Sequence, residues 1–122
     1  MLGYFFVAMT VLLTVLGQLV LKWQVSLLGP LPDGAFGKLI FLSQVMVKPW
    51  VLAGLASAFG AALFWMLALK KMPLSTAYPL TASSFVLILA FSVAFFGETL
   101  TVHKAAGTAL IVSGIVVLAY NP

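Results

Sequence analysis

The chain contains no cysteine and no arginine, and only one aspartate, one glutamate and one histidine. Without cysteine there is no disulfide framework, no thiolate-ligated metal and no thiol nucleophile. One histidine and two carboxylates are too few for a metal cluster or a histidine–carboxylate catalytic set within one chain. No metal, cofactor or enzyme activity is therefore expected. Charge of either sign is scarce: 7% of the residues are charged, against about 25% in an ordinary soluble domain. A water-facing surface cannot be built from so few charges, which excludes a soluble globular protein. The formal net charge is +4, yet the lysines are scattered at segment ends rather than gathered in a tract. That placement suits a membrane protein and gives no sign of a nucleic-acid partner.

What the chain has in abundance is apolar sequence, 64% of its 122 residues. A helix crosses the hydrocarbon in about 20 such residues. Four stretches qualify, at about 2–22, 49–70, 74–96 and 102–120. They predict an all-α integral membrane protein, with residues 1–122 forming one four-helix transmembrane domain. The first stretch lacks the basic start of a signal peptide and is long for its apolar region, so it reads as a retained helix. Met72-Pro73 and the segment from Gly97 to Lys104 are short links, which force antiparallel neighbours. The link from Trp23 to Lys48 is longer. It holds the turn run Gly29-Pro30-Leu31-Pro32-Asp33-Gly34. Residues 36–47 then follow, too apolar for a free loop and too short to span, and predict an interfacial or re-entrant helix. Tyr4, Trp23, Trp50 and Tyr120 fall near span ends, where amphipathic rings favour the headgroup level. Trp65 and Tyr78 lie further in and need another explanation.

Four spans put both termini on one side together with Lys70 and Lys71. Lys22, Lys38, Lys48 and Lys104 belong to the other. This bias favours a cytoplasmic location for the first and third links, but it is small enough to permit insertion both ways. Single and dual orientation both remain open.

Polar residues at membrane depth are costly unless paired, and so are candidates for function. Thr10, Thr14, Gln18 and Lys22 recur every four residues and form a stripe along one helix face. The stripe either lines a solute path, or consists of threonines bonded to their own helix, a packed glutamine and a snorkelling lysine. The third span opens with Ser75, Thr76, Tyr78, Pro79, Thr81, Ser83 and Ser84. Pro79 deprives the carbonyl four residues earlier of its partner. Hydroxyls beside such a kink suggest a cavity wall, with hydroxyl-mediated helix packing as the other reading. Glu98 lies just before a helix entry, where a carboxylate is favoured, and reads as structural. Gly107 and Gly114 share a face of the fourth span and allow close helix approach. Gly54, Ala58, Ala62 and Gly60 of the second span point to packing within the chain. No span has a carboxylate at its centre.

The stripe, Gly-Gln-Leu-Val-Leu-Lys at 17–22, Pro-Leu-Ser-Thr-Ala-Tyr-Pro-Leu at 73–80, Gly-Glu-Thr-Leu-Thr at 97–101 and Gly-Thr-Ala-Leu-Ile-Val-Ser-Gly at 107–114 resemble the drug/metabolite transporter superfamily. The resemblance is to its four-span members, the small multidrug resistance exporters and small EamA-type proteins. It covers nearly the whole chain except the first link, which is longer than in the drug exporters. Those exporters carry a glutamate in the first span, and the match puts Thr14 there. The Gly-Gln-Leu and Ala-Tyr-Pro patterns look more like the paired subunits that flip undecaprenyl-phosphate-linked aminoarabinose. The resemblance thus implies a polyprenyl-phosphate-linked sugar or similar lipid headgroup as substrate, carried across the bacterial inner membrane. Its Tyr, Lys and Gly-Glu matches carry to Tyr78, Lys22 and Glu98. With the stripe and the hydroxyl cluster, the expected substrate contacts are Thr14, Gln18, Lys22, Tyr78, Thr81 and Ser84, and Pro79 and Glu98 are expected to be structural. The resemblance also implies a dimer contact at Gly107 and Gly114, in a homodimer or a heterodimer with a paralogous four-span subunit. The alternatives are an exporter of a small metabolite or drug without the acidic coupling residue, and a non-transporting accessory or scaffold subunit.

Overall fold

The computed structural model describes residues 1–120. They form six helices and no strand: α1 (Leu2–Ser26), α2 (Ala35–Met46), α3 (Pro49–Lys71), α4 (Leu74–Leu80), α5 (Ser83–Phe95) and α6 (Val102–Ala119). Helices α1, α3 and α6, and α4 and α5 taken together, give four segments long and apolar enough to cross a membrane. An apolar solvent leaves backbone polar groups no partner but each other, so helix is the available solution for every span.

α1 packs most extensively on α3 and secondly on α5. The reason is steric. α1 buries Gly3, Val7, Thr10, Val11, Val15, Gly17 and Gln24, and α3 buries Val51, Gly54, Ala61 and Ala68. Small residues on both faces let the backbones approach, which is how helices associate where lipid is as apolar as their side chains. The approach is closest at Gly17, where an added Cβ would lie 2.9 Å from the Gly54 carbonyl oxygen. One residue turn away, the Ser57 hydroxyl donates to the Leu13 carbonyl across the same crossing at 2.7 Å. The expected intrachain packing of the second span is present along Gly54 and Gly60, where an added Cβ at Gly60 would lie 3.3 Å from the Leu13 side chain, and also uses Ser57 and Ala61, while Ala58 and Ala62 are exposed. Beyond the crossing, Val7, Val11 and Val15 of α1 meet Ala68, Ala77 and Leu80 in the apolar core.

α1 continues to Ser26, four residues beyond the expected end of the first span. Gln24 is buried, and the Trp23 ring meets Trp50 of α3 edge-on at 5.5 Å between centroids. These contacts hold the extra turn in place, so Lys22 sits one turn inside the helix rather than at its end. Residues 35–46 form the expected short helix, with Val45 its single buried residue.

The third span is broken rather than bent. Pro79 has no N–H to give the Ser75 carbonyl, and α4 ends at Leu80. The chain then tightens: Thr81, Ala82, Ser84 and Phe85 each donate a backbone N–H to the carbonyl three residues earlier, at 3.0 Å. α5 resumes at Ser83. The kink expected from Pro79 therefore materialises one turn later, among the hydroxyl residues.

Gly97, at φ 66°, makes the turn out of α5 in a conformation that L side chains rarely adopt. α6 is capped by Thr101, whose side chain accepts from the Lys104 N–H at 3.1 Å. The cap is thus Thr101, and Glu98 lies before the helix, in the link that leads into it. Thr101→Ala should cost about 1 kcal/mol through the lost cap, read as a lowered melting temperature in detergent. None of the described residues of α6 is buried.

Candidate functional site: two polar chambers along the first helix

The four-residue stripe does not stay on one face. Each step of four residues rotates roughly 40° around an ideal helix, about 120° from Thr10 to Lys22. The consequence is visible in the packing. Thr10 is buried, Thr14 half-buried, and Gln18 and Lys22 exposed. The stripe consequently serves two separate cavities.

The first cavity, of about 240 Å³, is lined by Thr10, Val11, Thr14, Trp65, Tyr78, Thr81 and Ser84. Four of the six expected contact residues converge here: Thr14, Tyr78, Thr81 and Ser84. The break after α4 is what brings them in, because it turns the 81–84 segment toward α1. Trp65 closes the wall by meeting Tyr78 edge to face, with centroids 6.0 Å apart and rings at 71°. The two inward aromatics that lacked an explanation in the sequence are therefore one unit. Thr10 was counted in the stripe but not among the contact residues, and it also lines the chamber. Its hydroxyl donates to the Phe6 carbonyl at 2.8 Å, and the Thr81 hydroxyl donates to the Tyr78 carbonyl. The self-bonding reading of the stripe holds for Thr10, and Thr81 bonds its own segment as well. The lining is hydroxyl and aromatic. It offers hydrogen bonds and a ring face to an uncharged polyol such as a sugar, and no carboxylate for cation exchange.

The second cavity, of about 270 Å³, is lined by Gln18, Leu19, Lys22, Ile88, Ser92, Phe96 and Glu98. Gln18 and Lys22 are thus separated from the other four expected residues. Lys22 lies eight residues beyond Thr14, a rise of about 12 Å along the helix. Ser92 is buried, and its carbonyl accepts the N–H of Phe96 at 3.1 Å and of Glu98 at 3.2 Å. That pair of bonds folds the chain after α5 back on itself and sets Glu98 on the cavity wall. Sequence reasoning missed Ser92 and placed Glu98 outside the site. The signal for Glu98 was its position at the same membrane end as Lys22. Lys104, also near Glu98 in a neighbouring pocket, has its Nζ on the Thr99 carbonyl at 2.9 Å.

The dimer-contact glycines sit apart from both chambers. An added Cβ at Gly107 or Gly114 would meet no atom of this chain within 4 Å.

Four apolar spans around a hydroxyl-lined chamber and a charged one define a small helical-bundle membrane transporter. The chain belongs to the EamA-like transporter family, whose model matches residues 1–120. It is a multi-pass protein of the inner membrane. It is 33% identical, over 98% of its length and 81% of the relative's, to the probable 4-amino-4-deoxy-L-arabinose-phosphoundecaprenol flippase subunit ArnF of Aeromonas hydrophila. It is 37% identical to the ArnF subunit of Photorhabdus laumondii, over 93% of both chains. The ArnE subunit of Aeromonas hydrophila is 35% identical over 62% of this chain and 66% of its own. No solved structure matches the chain significantly.

Proposed function

We propose that the chain, acting as one four-span domain, is a subunit of a dimeric flippase for a polyprenyl-phosphate-linked sugar. The observation that carries this reading is the chamber of Thr10, Thr14, Tyr78, Thr81 and Ser84 walled by Trp65. It suits sugar hydroxyls and holds no acid. Lys22, in the adjoining chamber, supplies a compact cation for the phosphate. Thr14, Gln18, Lys22, Tyr78, Thr81 and Ser84 are then stations along one path rather than one pocket. The lipid tail stays in the bilayer while the headgroup moves between them.

Similarity to relatives named as flippase subunits ArnE and ArnF supports the substrate class and the pairing. The partner is a second copy or a paralogous four-span chain. Gly107 and Gly114 on the open face of α6 are the proposed contact. The work of the protein is movement of the headgroup, without covalent chemistry.

The test is transbilayer movement of a fluorescent polyprenyl-phosphate sugar in proteoliposomes containing the chain, alone and with a paralogous partner. Tyr78→Ala should slow movement about tenfold, because it removes an aromatic wall contact of roughly 1 kcal/mol and a hydroxyl. Tyr78→Phe should slow it less. Unchanged rates in both variants, or no movement by the wild-type chain in either form, would overturn the reading.

A further inference from the structure

We infer that the apolar groove between α1, α5 and α6 seats the hydrocarbon tail of the transported lipid, and that Val11 and Leu80 form the partition its headgroup crosses to enter the hydroxyl chamber. The inference rests on the flippase reading and gives the tail a place within it. The groove, of about 350 Å³, is lined from α1 by Tyr4, Ala8 and Leu12, and from the other helices by Leu87 of α5 and Ile115 of α6. Its polar lining is limited to Tyr4 and Ser83.

The groove adjoins the chamber. Val11 lines both cavities. The break after α4 divides its residues between them, Thr81 and Ser84 on the chamber, Leu80 and Ser83 on the groove. Val11 and Leu80 are buried in one core cluster, so aliphatic side chains stand between the two cavities. The backbone beside them suits movement. Pro79 leaves the Ser75 carbonyl without its helical partner, and the N–H groups of Thr81, Ala82, Ser84 and Phe85 reach back only three residues, a pattern often found at hinges. α6, on the outer side, buries none of its described residues, and thinly packed elements open at low cost.

Shape and position favour a tail as the occupant. From Tyr4 to Leu12 α1 rises about 12 Å. An inserted helix about 10 Å across would fill on the order of 900 Å³ over that length. The groove is far smaller, so a slender chain fits where a helix of a second copy does not. Gly107 and Gly114, the proposed dimer contact, line neither cavity. In a bilayer an apolar groove alone attracts a tail weakly, because the surrounding lipid is equally apolar. Tethering supplies the preference: a headgroup held in the chamber concentrates its own tail at the adjoining groove.

The experiment is photo-crosslinking of the full chain in lipid nanodiscs, with adducts mapped by mass spectrometry. The probe is a farnesyl phosphate sugar with a diazirine on its first isoprene unit, and the comparison is farnesol with the same diazirine. The sugar probe should label Ala8, Leu12 and Ile115 at least about tenfold more than farnesol does, the low end of a tethering gain. Tyr78→Ala, which weakens headgroup capture, should lower that labelling and leave the farnesol pattern unchanged. Ala8 is exposed to the groove side of α1, so Ala8→Phe should fill the groove without disturbing the core. It should bring labelling of Leu12 and Ile115 by the two probes within about twofold and slow headgroup movement in proteoliposomes, at an unchanged melting temperature. Equal groove labelling by both probes on the wild-type chain, with headgroup movement intact, would overturn the inference. So would sugar-probe adducts gathered instead on other exposed positions such as Phe59 and Phe95. No headgroup movement by the wild-type chain, alone or with a paralogous partner, would remove the flippase reading itself, and this inference with it.

Discussion

Gly17→Leu is expected to abolish the folded bundle. A Cβ at this position would lie 2.9 Å from the Gly54 carbonyl oxygen, which is backbone and has no rotamer to escape into. From the other side, a Cβ at Gly54 would come within 3.3 Å of both the Gly17 carbonyl oxygen and the Leu21 side chain. The helices are therefore already at their limit. Even Gly17→Ala forces them apart, at about 1–3 kcal/mol for an overpacked site. Leucine also breaks the Ser57–Leu13 hydrogen bond, since the two backbones can no longer approach. The fold has little else to fall back on, because α1 on α3 is its most extensive contact and α6 buries nothing. Size-exclusion and thermal unfolding in detergent should show aggregation or loss of a cooperative transition for Gly17→Leu, and a lowered midpoint for Gly17→Ala. Gly107→Leu is the control: it meets nothing of its own chain within 4 Å, so chain stability should hold while cross-linking between copies changes. Wild-type melting of Gly17→Leu would show that the crossing does not hold the bundle.

The spans and the short helix were legible because length and apolarity alone decide whether a segment crosses a bilayer. The packing was legible only in part. Small residues in α3 signalled close approach, but at spacings of four they named Ala58 and Ala62, whereas the crossing uses Gly54, Ser57 and Ala61. Alternating steps of three and four keep residues on one side of a helix, while constant steps of four drift around it. The same drift explains the site. A stripe of Thr10, Thr14, Gln18 and Lys22 looks like one wall in the sequence, and is two walls in space.

Other parts of the site depend on distant pairings that no local pattern encodes. Trp65 joins the hydroxyl chamber because α3 runs antiparallel to α1 beside α4, so that its ring meets Tyr78. Glu98 reads as a helix-entry residue from its neighbours, and only the turn anchored on the Ser92 carbonyl shows that it faces Lys22's chamber. Thr14, by contrast, was legible in a negative sense. The resemblance places it where the drug exporters keep a glutamate, and the chamber it lines holds no carboxylate among its lining residues.

Lys22→Ala is expected to reduce headgroup movement in proteoliposomes by about 10- to 150-fold, since a hydrogen bond to a charged group is worth roughly 1.5–3 kcal/mol and its loss leaves the phosphate without that partner. Lys48→Ala is the informative comparison. Lys48 is at the same membrane end and has the same charge, so it contributes equally to the long-range field. Its side chain, however, lines a different cavity, with Leu28, Pro30, Phe41 and Gln44. If Lys22 acts by direct contact, Lys48→Ala should change the rate less than about twofold, an effect of the size expected for a screened surface charge. If the lysines act only through net charge, the two variants should slow movement alike. Lys22→Arg refines the answer. It restores the charge with a broader fork on a stem one methylene shorter, and should recover part of the rate if the phosphate is held at this point. Equal activity of Lys22→Ala and Lys48→Ala, with both chains folded, would remove Lys22 from the path and leave the hydroxyl chamber as the only station for the headgroup.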